Sequence, residues 1–445
     1  MFESIKRIIP LSIKRPILVV KAATLDRVIK KILVSRLSWK HRQMVLQVRK
    51  KNKVKVVFLA IHKSIWKVDP IFRRMLSDSF FDPEILVCPY LNQGRERLTA
   101  EMNETYQYFA DKGYPVRKSL NEDNVWVCLG DIGPDIVFFT NPHDLTKQEY
   151  YANAFLSYLS CYVPYYYMAT NHVADQSLEL DSKFLNSMWR IYFPHDFIYN
   201  QFIKYSTISG QNALSTGYPA TEALIRNELN LDCRESKNCW KGQEREKKKI
   251  IYAPHHTISE RSSSLSTFLK FGRDMQKIAI DYMDQVQWSF KPHPMLRAKL
   301  YQHPDWGKER TDNYYFFWET QLFTQLDEGE YDGLFNQSDA IIHDCSSFIV
   351  EYAFTKKPAL YLFNTAIRDQ SFLNEFGAGV MQSYSKASEL DDIIKFIESV
   401  VDGSYNHEAA SAENFDTYLS KFYGAKLPST RIIEDIKNLL GAQAS

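Results

Sequence analysis

The chain has 445 residues, 45% of them apolar, so it is long enough to form two or three domains with buried cores. Its net charge of only +2 excludes a protein that is strongly basic or acidic overall. The charge is nevertheless uneven, because residues 1–55 hold sixteen Lys and Arg against two acids. This segment carries +14, which leaves −12 for the remainder. A basic segment joined to an acidic body indicates an acidic partner.

Residues 1–52 are predicted to form a basic, amphipathic, helical arm. Leu25, Val28, Ile29, Ile32 and Leu33 recur at helical spacing, and Arg27, Lys30, Lys31 and Arg36 take the other side. Such a helix suits the surface of an anionic membrane, and it equally suits packing on the body with a solvated basic face. Nucleic acid is the weaker candidate because no aromatic residues interleave with the basic ones, and we expect none as a partner.

Targeting and redox signals indicate a cytoplasmic protein. We expect no secretory signal, because the basic start leads into no apolar run with a small-residue cleavage site. The longest stretch without Asp, Glu, Lys or Arg, residues 150–174, is too polar for a membrane span. The six cysteines show no metal-binding spacing, so we expect free thiols in a reducing compartment.

From Val54 onward, short apolar runs alternate with helical patterns. Strands are predicted at 54–61, 84–88, 125–129, 136–139 and 165–169, with helices at 70–79, 96–112 and 147–160. This alternation predicts a parallel sheet covered on both faces, with ligands beyond the carboxyl ends of the strands.

A polar, charged stretch separates this half from a second series of the same kind. Strands are predicted at 250–253, 286–290, 340–343 and 359–363, with helices at 266–283 and after Asp344, and a terminal helix at 432–440. The predicted organisation is an arm (1–52), an N-terminal acceptor lobe (53–226), a linker (227–248), a C-terminal nucleotide-donor lobe (249–425) and a terminal helix (426–445). The predicted fold class is α/β.

Three strands of the second half end in polar turns that suit a phosphate. The turns are Pro254–Thr257 with His255 and His256, Lys291–Pro294 with His293, and Asp344–Ser347 with Ser346 and Ser347. Lys291 offers a positive charge, the histidines can donate hydrogen bonds, and the serines begin a helix whose free N–H groups attract anions. Glu351 follows one helical turn later and could accept from ribose hydroxyls. Taken singly, each histidine is more often structural and each serine a helix cap.

Several common nucleotide and catalytic motifs are absent from the sequence. There is no glycine-rich dinucleotide fingerprint, no Walker loop and no G-x-S-x-G elbow. The aspartates do not cluster as a D-x-D site would require. We therefore predict no metal and no cofactor beyond the donor substrate.

The stretch I-I-H-D-C-S-S-F-I-V-E-Y-A-F-T-K-K-P resembles the donor-site signature of the CDP-glycerol glycerophosphotransferase family of teichoic-acid and capsule synthesis. K-P-H-P at 291–294 resembles that family's basic-x-His-Pro element, Y-A-P at 252–254 its Ala-Pro-Thr segment, and G-Y-P at 217–219 its turn before the second lobe. The sequence departs from the family at His255 and His256, where Thr and Arg are usual, and lacks its Trp-His-Gly-Thr element.

The resemblance covers residues 54–425 and implies two Rossmann-like lobes facing across a cleft, the GT-B type. It implies that His293, Ser346, Ser347 and Glu351 hold the CDP moiety and that Asp344 shapes the turn; His293 and Asp344 are thus candidate catalytic residues. The catalytic base would be His172, in Thr-Asn-His, with His143 as its rival.

The implied reaction transfers glycerol phosphate or ribitol phosphate from a CDP-polyol to a lipid-linked glycan or polymer and releases CMP, at the cytoplasmic face of the membrane. Three alternatives remain open. One is a GT-B glycosyltransferase with a nucleotide-sugar donor, and another is a nucleotide-sugar 2-epimerase of similar architecture, which would leave the basic arm without a role. The third is an inactive, membrane-associated adaptor.

Overall fold

The computed structural model describes residues 11–91, 94–171, 176–225, 238–258, 265–364, 372–406 and 413–441, with side chains of the N-terminal helix described from Ile29 onward. The chain divides into two compact units. Unit 1 contains residues 1–166, 173–219 and 426–445, and unit 2 contains residues 167–172 and 220–425.

Unit 1 is built on a seven-stranded sheet in which every described pair of neighbours is parallel. Its strands are β1 (Val54–Ala60), β2 (Phe81–Val87), β3 (Val116–Lys118), β4 (Ile136–Phe139), β5 (Leu159–Tyr162), β6 (Arg190–Phe193) and β7 (Ala213–Ser215), in the order β3-β2-β1-β4-β5-β6-β7. The central strands are apolar almost throughout because helices cover both faces of a parallel sheet.

Between residues 11 and 219, unit 1 contains eight described α-helices: α1 (Leu11–Val48), α2 (Asp69–Ser77), α3 (Arg95–Asp111), α4 (Leu129–Ile132), α5 (Ala152–Ser157), α6 (Gln176–Leu180), α7 (Lys183–Ser187) and α8 (Asp196–Tyr205).

Unit 2 carries a six-stranded parallel sheet in the order β10-β9-β8-β11-β12-β13. The strands are β8 (Lys248–Ala253), β9 (Val286–Phe290), β10 (Thr324–Leu326), β11 (Ala340–His343), β12 (Ala359–Leu362) and β13 (Ser385–Ala387). The helices are α9 (Glu222–Ile225), α10 (Phe268–Asp281), α11 (Leu296–Tyr301), α12 (Gly307–Thr320), α13 (Asp332–Gln337), α14 (Ser346–Ala353), α15 (Glu375–Met381), α16 (Leu390–Asp402) and α17 (Glu413–Leu419). The predicted class, α/β with two Rossmann-like lobes, is confirmed.

The chain then returns to unit 1 as α18 (Pro428–Leu440), which packs on α2 and α1. Its apolar side is buried at Ile432, Ile436 and Leu440. Polar residues of α18 also bind unit 1: Lys437 forms an ion pair with Asp78 at 2.6 Å, and the Tyr192 hydroxyl donates to Asp435 at 3.0 Å.

Two predicted strands of unit 1 are wrong. Residues 125–129 form no strand: Val125 is exposed, and the edge strand is β3 at 116–118. Residues 165–169 are irregular, and the strand of that region is β5, the first two residues of which were predicted as the end of the helix at 147–160. A short apolar run fits a helix or a strand equally well by periodicity, and here Pro164 follows the true strand rather than preceding one.

The predicted N-terminal helix is present as α1. Of the predicted apolar side, Ile29 and Ile32 are exposed, Leu33 is half-buried, and the side chains of Leu25 and Val28 lie outside the described part. Leu37, His41 and Val48 are buried against unit 1, and Lys30 pairs with Asp181 at 3.0 Å. Four other large apolar side chains of the described part of this helix lie in solvent: Ile29, Ile32, Trp39 and Leu46 are 55%, 51%, 63% and 51% exposed, while Leu33, Val34, Met44 and Val45 are half-buried. A helical spacing of about 100° per residue puts the four exposed side chains within one side of α1.

A cluster of buried hydroxyls joins distant segments of unit 2. Tyr167 and Thr221 lie 2.9 Å apart, and Tyr423 lies 3.1 Å from Tyr167 and 2.9 Å from Thr221 (oxygen to oxygen). Tyr423 stands in a π-helical turn, Ser420–Gly424, next to α17. Residues 167 and 221 lie close to the positions where the chain enters unit 2, at residues 167 and 220. The hydrogen bonds between these hydroxyls therefore hold both entry positions within unit 2.

Candidate functional site

The three polar turns of the second half lie side by side. β9, β8 and β11 are neighbours in the unit 2 sheet, and they run parallel. Tyr252 pairs with Phe290, and Ala253 pairs with His343, so the turns that follow these strands start at the same level. The backbone N–H of His293 donates to the Pro254 carbonyl at 3.0 Å, which joins two of the turns directly. The predicted convergence of these turns is therefore realised in the fold.

His255, His256 and His293 form one half-buried cluster at this edge. Their ring centroids are 4.4 Å (255–256), 4.1 Å (256–293) and 5.1 Å (255–293) apart. Each offers a ring nitrogen within 4.8 Å of the others, close enough for all three to contact one ligand. Burial lowers the pKa of His256 to about 4, with Lys299 adding to the effect, and that of His293 to about 3, with His256 and Lys299 adding. Both rings are thus uncharged at neutral pH.

Asp344 is completely buried and holds the site together. One carboxylate oxygen accepts the backbone N–H of His255, and the other accepts the N–H and hydroxyl of Thr267 at 2.6 and 2.8 Å. Burial raises the pKa of Asp344 to about 6 against the opposing effect of these hydrogen bonds. Because its oxygens face protein donors and it is 0% exposed, Asp344 fixes the turn and the start of α10 as a positioning residue.

Lys291 and Glu351 are linked through a loop that the sequence did not single out. The Lys291 ammonium donates to the Gly329 carbonyl at 2.9 Å and lies 5.2 Å from the ring of Tyr331. The Tyr331 hydroxyl in turn donates to Glu351 at 2.5 Å. Both charged residues are buried, with 5% and 3% exposure, and they shape the loop at 327–331 beside the site.

Ser346 and Ser347 are half-buried at the first turn of α14, as predicted. Ser347 Oγ lies 3.2 Å from Cys345 Sγ. Behind this turn the fully buried His343 donates from Nδ1 to the Cys345 carbonyl at 3.0 Å, among the rings of Phe348, Tyr361 and Tyr384. That bond fixes the peptide that leads into the helix N-terminus, where anions are favoured.

Of the two residues predicted as the catalytic base, His172 and His143, the structure describes only His143. His172 lies outside the described residues; the adjoining Asn171 is tied to Leu373 in unit 2, where its side chain donates to the Leu373 carbonyl at 3.0 Å. His143 belongs to unit 1, follows β4 and lies with Nε2 3.4 Å from the Tyr165 hydroxyl.

Sequence reasoning missed Thr267, Tyr331, His343 and Lys299. Thr267 and Tyr331 lie far in sequence from the residues they bind, and nothing local marks them. Lys299 lies in α11, six residues after His293, where a helical lysine is normally solvated. Its ammonium instead lies 2.8 Å from His256 Nδ1. His343 stood inside the signature itself and could have been singled out as a histidine in an otherwise apolar strand.

Residues 168–366 match the family model of CDP-glycerol:poly(glycerophosphate) glycerophosphotransferases. Over these residues the match agrees with the family resemblance that the sequence predicted. The glycerophosphotransferase match covers all three turns, the histidine cluster, α14 and Glu351. No curated protein matches the chain in sequence.

Solved structures resemble the chain in fold. A UDP-GlcNAc 2-epimerase from Neisseria meningitidis bound to UDP-GlcNAc shares 16% identity, with a TM-score of 0.54 over 87% of this chain and 100% of that one. An S. aureus MnaA–UDP co-structure shares 14% identity, with a TM-score of 0.53 over 89% and 98%. A variant of the wall teichoic acid polymerase TagF shares 14% identity, with a TM-score of 0.52 over 92% and 99%. At these identities the likeness establishes the fold alone.

Proposed function

We propose that the chain is a phosphotransferase that moves a polyol phosphate from CDP-glycerol or CDP-ribitol to a teichoic-acid-like acceptor and releases CMP. The observation that supports this most directly is the coincidence of the glycerophosphotransferase family match with the three adjoining turns of unit 2. Uncharged imidazoles, the helix N-terminus of α14 and two serine hydroxyls are suited to a diphosphate at this sheet edge.

In the reaction, an acceptor hydroxyl attacks the β-phosphorus of the donor. A new O–P bond forms, the bond between the β-phosphorus and the oxygen bridging to the α-phosphate breaks, and CMP leaves with the bonding electrons. The acceptor proton passes to a general base, for which His172 and His143 remain the candidates. Catalysis of this kind depends mainly on positioning and on stabilising the charge that develops on phosphate oxygens.

The histidine cluster would supply donors to those oxygens, and Asp344 would keep the cluster in place through the His255 amide. Glu351, held by Tyr331, would accept from the ribose. We assign Lys291 a supporting role under the 327–331 loop, where it adds positive charge to the site.

The acceptor is proposed to be lipid-linked, with α1 holding the enzyme at the cytoplasmic face of an anionic membrane. The support is the row of exposed apolar side chains on α1 within a segment that carries +14. Apolar residues beside lysines and arginines suit a helix lying in the headgroup layer. Among the described residues, no helix is both long enough and apolar enough to cross a bilayer.

The test is CMP release from CDP-glycerol and CDP-ribitol by the full chain with a polyol-phosphate acceptor. The variant His293→Asn should lower kcat by about 100-fold, as expected when a donor to transition-state charge is lost. His303→Asn is the matched control, because His303 lies ten residues after His293, between α11 and α12, and is outside the cluster. Release of nucleotide from nucleotide sugars alone would overturn the proposal in favour of a glycosyltransferase, and activity with neither donor would favour the adaptor.

A further inference from the structure

Each histidine of the cluster accepts a hydrogen bond at Nδ1 from the protein behind it. The backbone N–H of Met295 donates to His293 Nδ1 at 3.1 Å. The Lys299 ammonium donates to His256 Nδ1 at 2.8 Å, since a protonated lysine has no acceptor to offer.

The same holds at His255, where the partner is Thr257. The Thr257 N–H points to His255 Nδ1 at 3.4 Å, and the Thr257 hydroxyl lies 2.9 Å from it. The backbone N–H can only donate, so it makes His255 Nδ1 an acceptor; the Thr257 hydroxyl, which accepts the N–H of Leu265 at 2.9 Å, can then donate to the same nitrogen.

A neutral imidazole carries one hydrogen, and the nitrogen that accepts a hydrogen bond cannot be the one that bears it. The three rings therefore carry their hydrogens on Nε2. We infer that His255, His256 and His293 form an uncharged anion site whose Nε2–H groups bind the diphosphate of the donor nucleotide, with Lys299 as the residue that sets the tautomer of His256. This inference rests on the proposed function for the identity of the nucleotide, and on the structure alone for the anion.

The contacts at Nδ1 separate an anion from a metal ion as the ligand. Three imidazoles this close could bind a divalent transition metal by distance alone. A metal-binding histidine, however, presents a bare nitrogen to the ion and donates its other N–H to a carbonyl or carboxylate. Here the partners at Nδ1 are an amide N–H, an ammonium and a threonine, and the ammonium would also repel a cation.

Lys299 has two effects that favour an anion. Its hydrogen bond fixes the ring of His256, and its charge lies one imidazole away from the ligand. The groups facing His256 are Lys299, His255 and His293, and the lysine adds to the burial that keeps the pKa of His256 low, at about 4. The site can thus bind phosphate oxygens without first taking up a proton.

The experiment uses the full chain labelled with ¹⁵N-histidine, with inorganic pyrophosphate as the probe. Nitrogen shifts of the free protein should show the hydrogen on Nε2 for all three rings, and pyrophosphate should bind with one site per chain. In Lys299→Met, His256 should lose its fixed tautomer, its pKa should rise, and the Kd for pyrophosphate should increase about tenfold, as for a lost charge-assisted hydrogen bond. Lys277→Met, which removes an exposed lysine of α10, should leave all three quantities unchanged.

Two results would overturn the inference. One is a set of shifts that places the hydrogens on Nδ1. The other is binding of one Zn²⁺ per chain that His256→Asn abolishes, which would make the cluster a metal site. If pyrophosphate binding and tautomers are as expected but no CDP-polyol is turned over, the proposed function fails and the anion site stands.

Discussion

At the scale of single residues, His343 shows how a buried ring can support a site that it does not enter. Its side chain has no exposed surface. Its Nδ1 donates to the Cys345 carbonyl, and its Nε2 has no hydrogen-bond partner among the described residues. Burial lowers the pKa of His343 to about 3. The folded chain therefore holds His343 uncharged, and protonation of this ring opposes folding.

The pH dependence of stability follows from this shift. Because the pKa is lower in the folded chain than the ordinary 6.5, the stability contributed by neutral His343 is present above pH 6.5 and is lost as the pH falls towards 3. In His343→Phe, the free energy of unfolding should fall less steeply between pH 6 and pH 4, by up to about 1.4 kcal/mol per pH unit. Urea unfolding at several pH values measures this, and parallel profiles for the two proteins would contradict it.

Asp344→Asn tests the positioning role of the aspartate. An asparagine can offer its oxygen to only one side, so its NH₂ group would face the N–H of His255 or of Thr267. The free energy of unfolding should fall by about 2–3 kcal/mol, the range for a buried group left without its partner. Thermal unfolding checks the loss, and a variant as stable as the parent would show that the carboxylate is dispensable. Asp284→Asn, at an exposed aspartate of unit 2, is the control for the loss of a charge.

At the scale of elements, α1 has one side packed on unit 1 and another side of exposed apolar residues. Deleting the arm would therefore also remove the buried Leu37, His41 and Val48. Point substitutions on the exposed side separate the two roles.

The double variant Ile32→Asn, Trp39→Asn should bind anionic vesicles about 100-fold or more weakly, because two apolar side chains of roughly 1.5–3 kcal/mol each no longer enter the membrane. Co-sedimentation with phosphatidylserine vesicles at two salt concentrations measures the effect. Leu322→Asn, at an 86% exposed leucine of unit 2, serves as the control. Equal binding by all three proteins would mean that α1 is only a packed helix.

The sequence predicted unit 2 better than unit 1 for a physical reason. β8, β9, β11 and β12 are mostly buried and apolar, apart from Lys248 and Lys249 at the start of β8, and each is followed by polar residues that mark where the strand ends. In unit 1, the strand at Leu159–Tyr162 continues the apolar pattern of the helix before it, and β3 is a short edge strand of Val, Arg and Lys with no apolar signal. The site turns could be predicted because a parallel sheet brings strand ends together. The partners Lys299 and Thr267 could not, since they depend on how helices cross that edge.

At the scale of the whole molecule, unit 1 is completed by the helix α18, which begins at Pro428, 209 residues after the preceding segment of unit 1 ends at Pro219. Ile436→Ala should lower the stability of unit 1 by about 2–5 kcal/mol, since it empties a fully buried position of α18. Hydrogen exchange should increase in unit 1 strands, while the pyrophosphate affinity of unit 2 is unchanged. Asn438→Ala, on the exposed side of α18, should alter neither. Faster exchange confined to unit 2 would contradict this assignment of α18.

The return of the chain to unit 1 has a consequence during synthesis. A ribosome that adds 5–20 residues per second needs roughly 10–40 s to make the intervening segment, residues 220–425. Throughout that interval the seven strands of unit 1 have already been synthesised, whereas Ile432, Ile436 and Leu440, which are buried in the helix that packs on α2 and α1, have not. Unit 2 has a shorter delay, because only residues 173–219 separate its first segment from its second, and the second runs without interruption to residue 425. Unit 2 is thus the half that can mature first, although most of it is translated second.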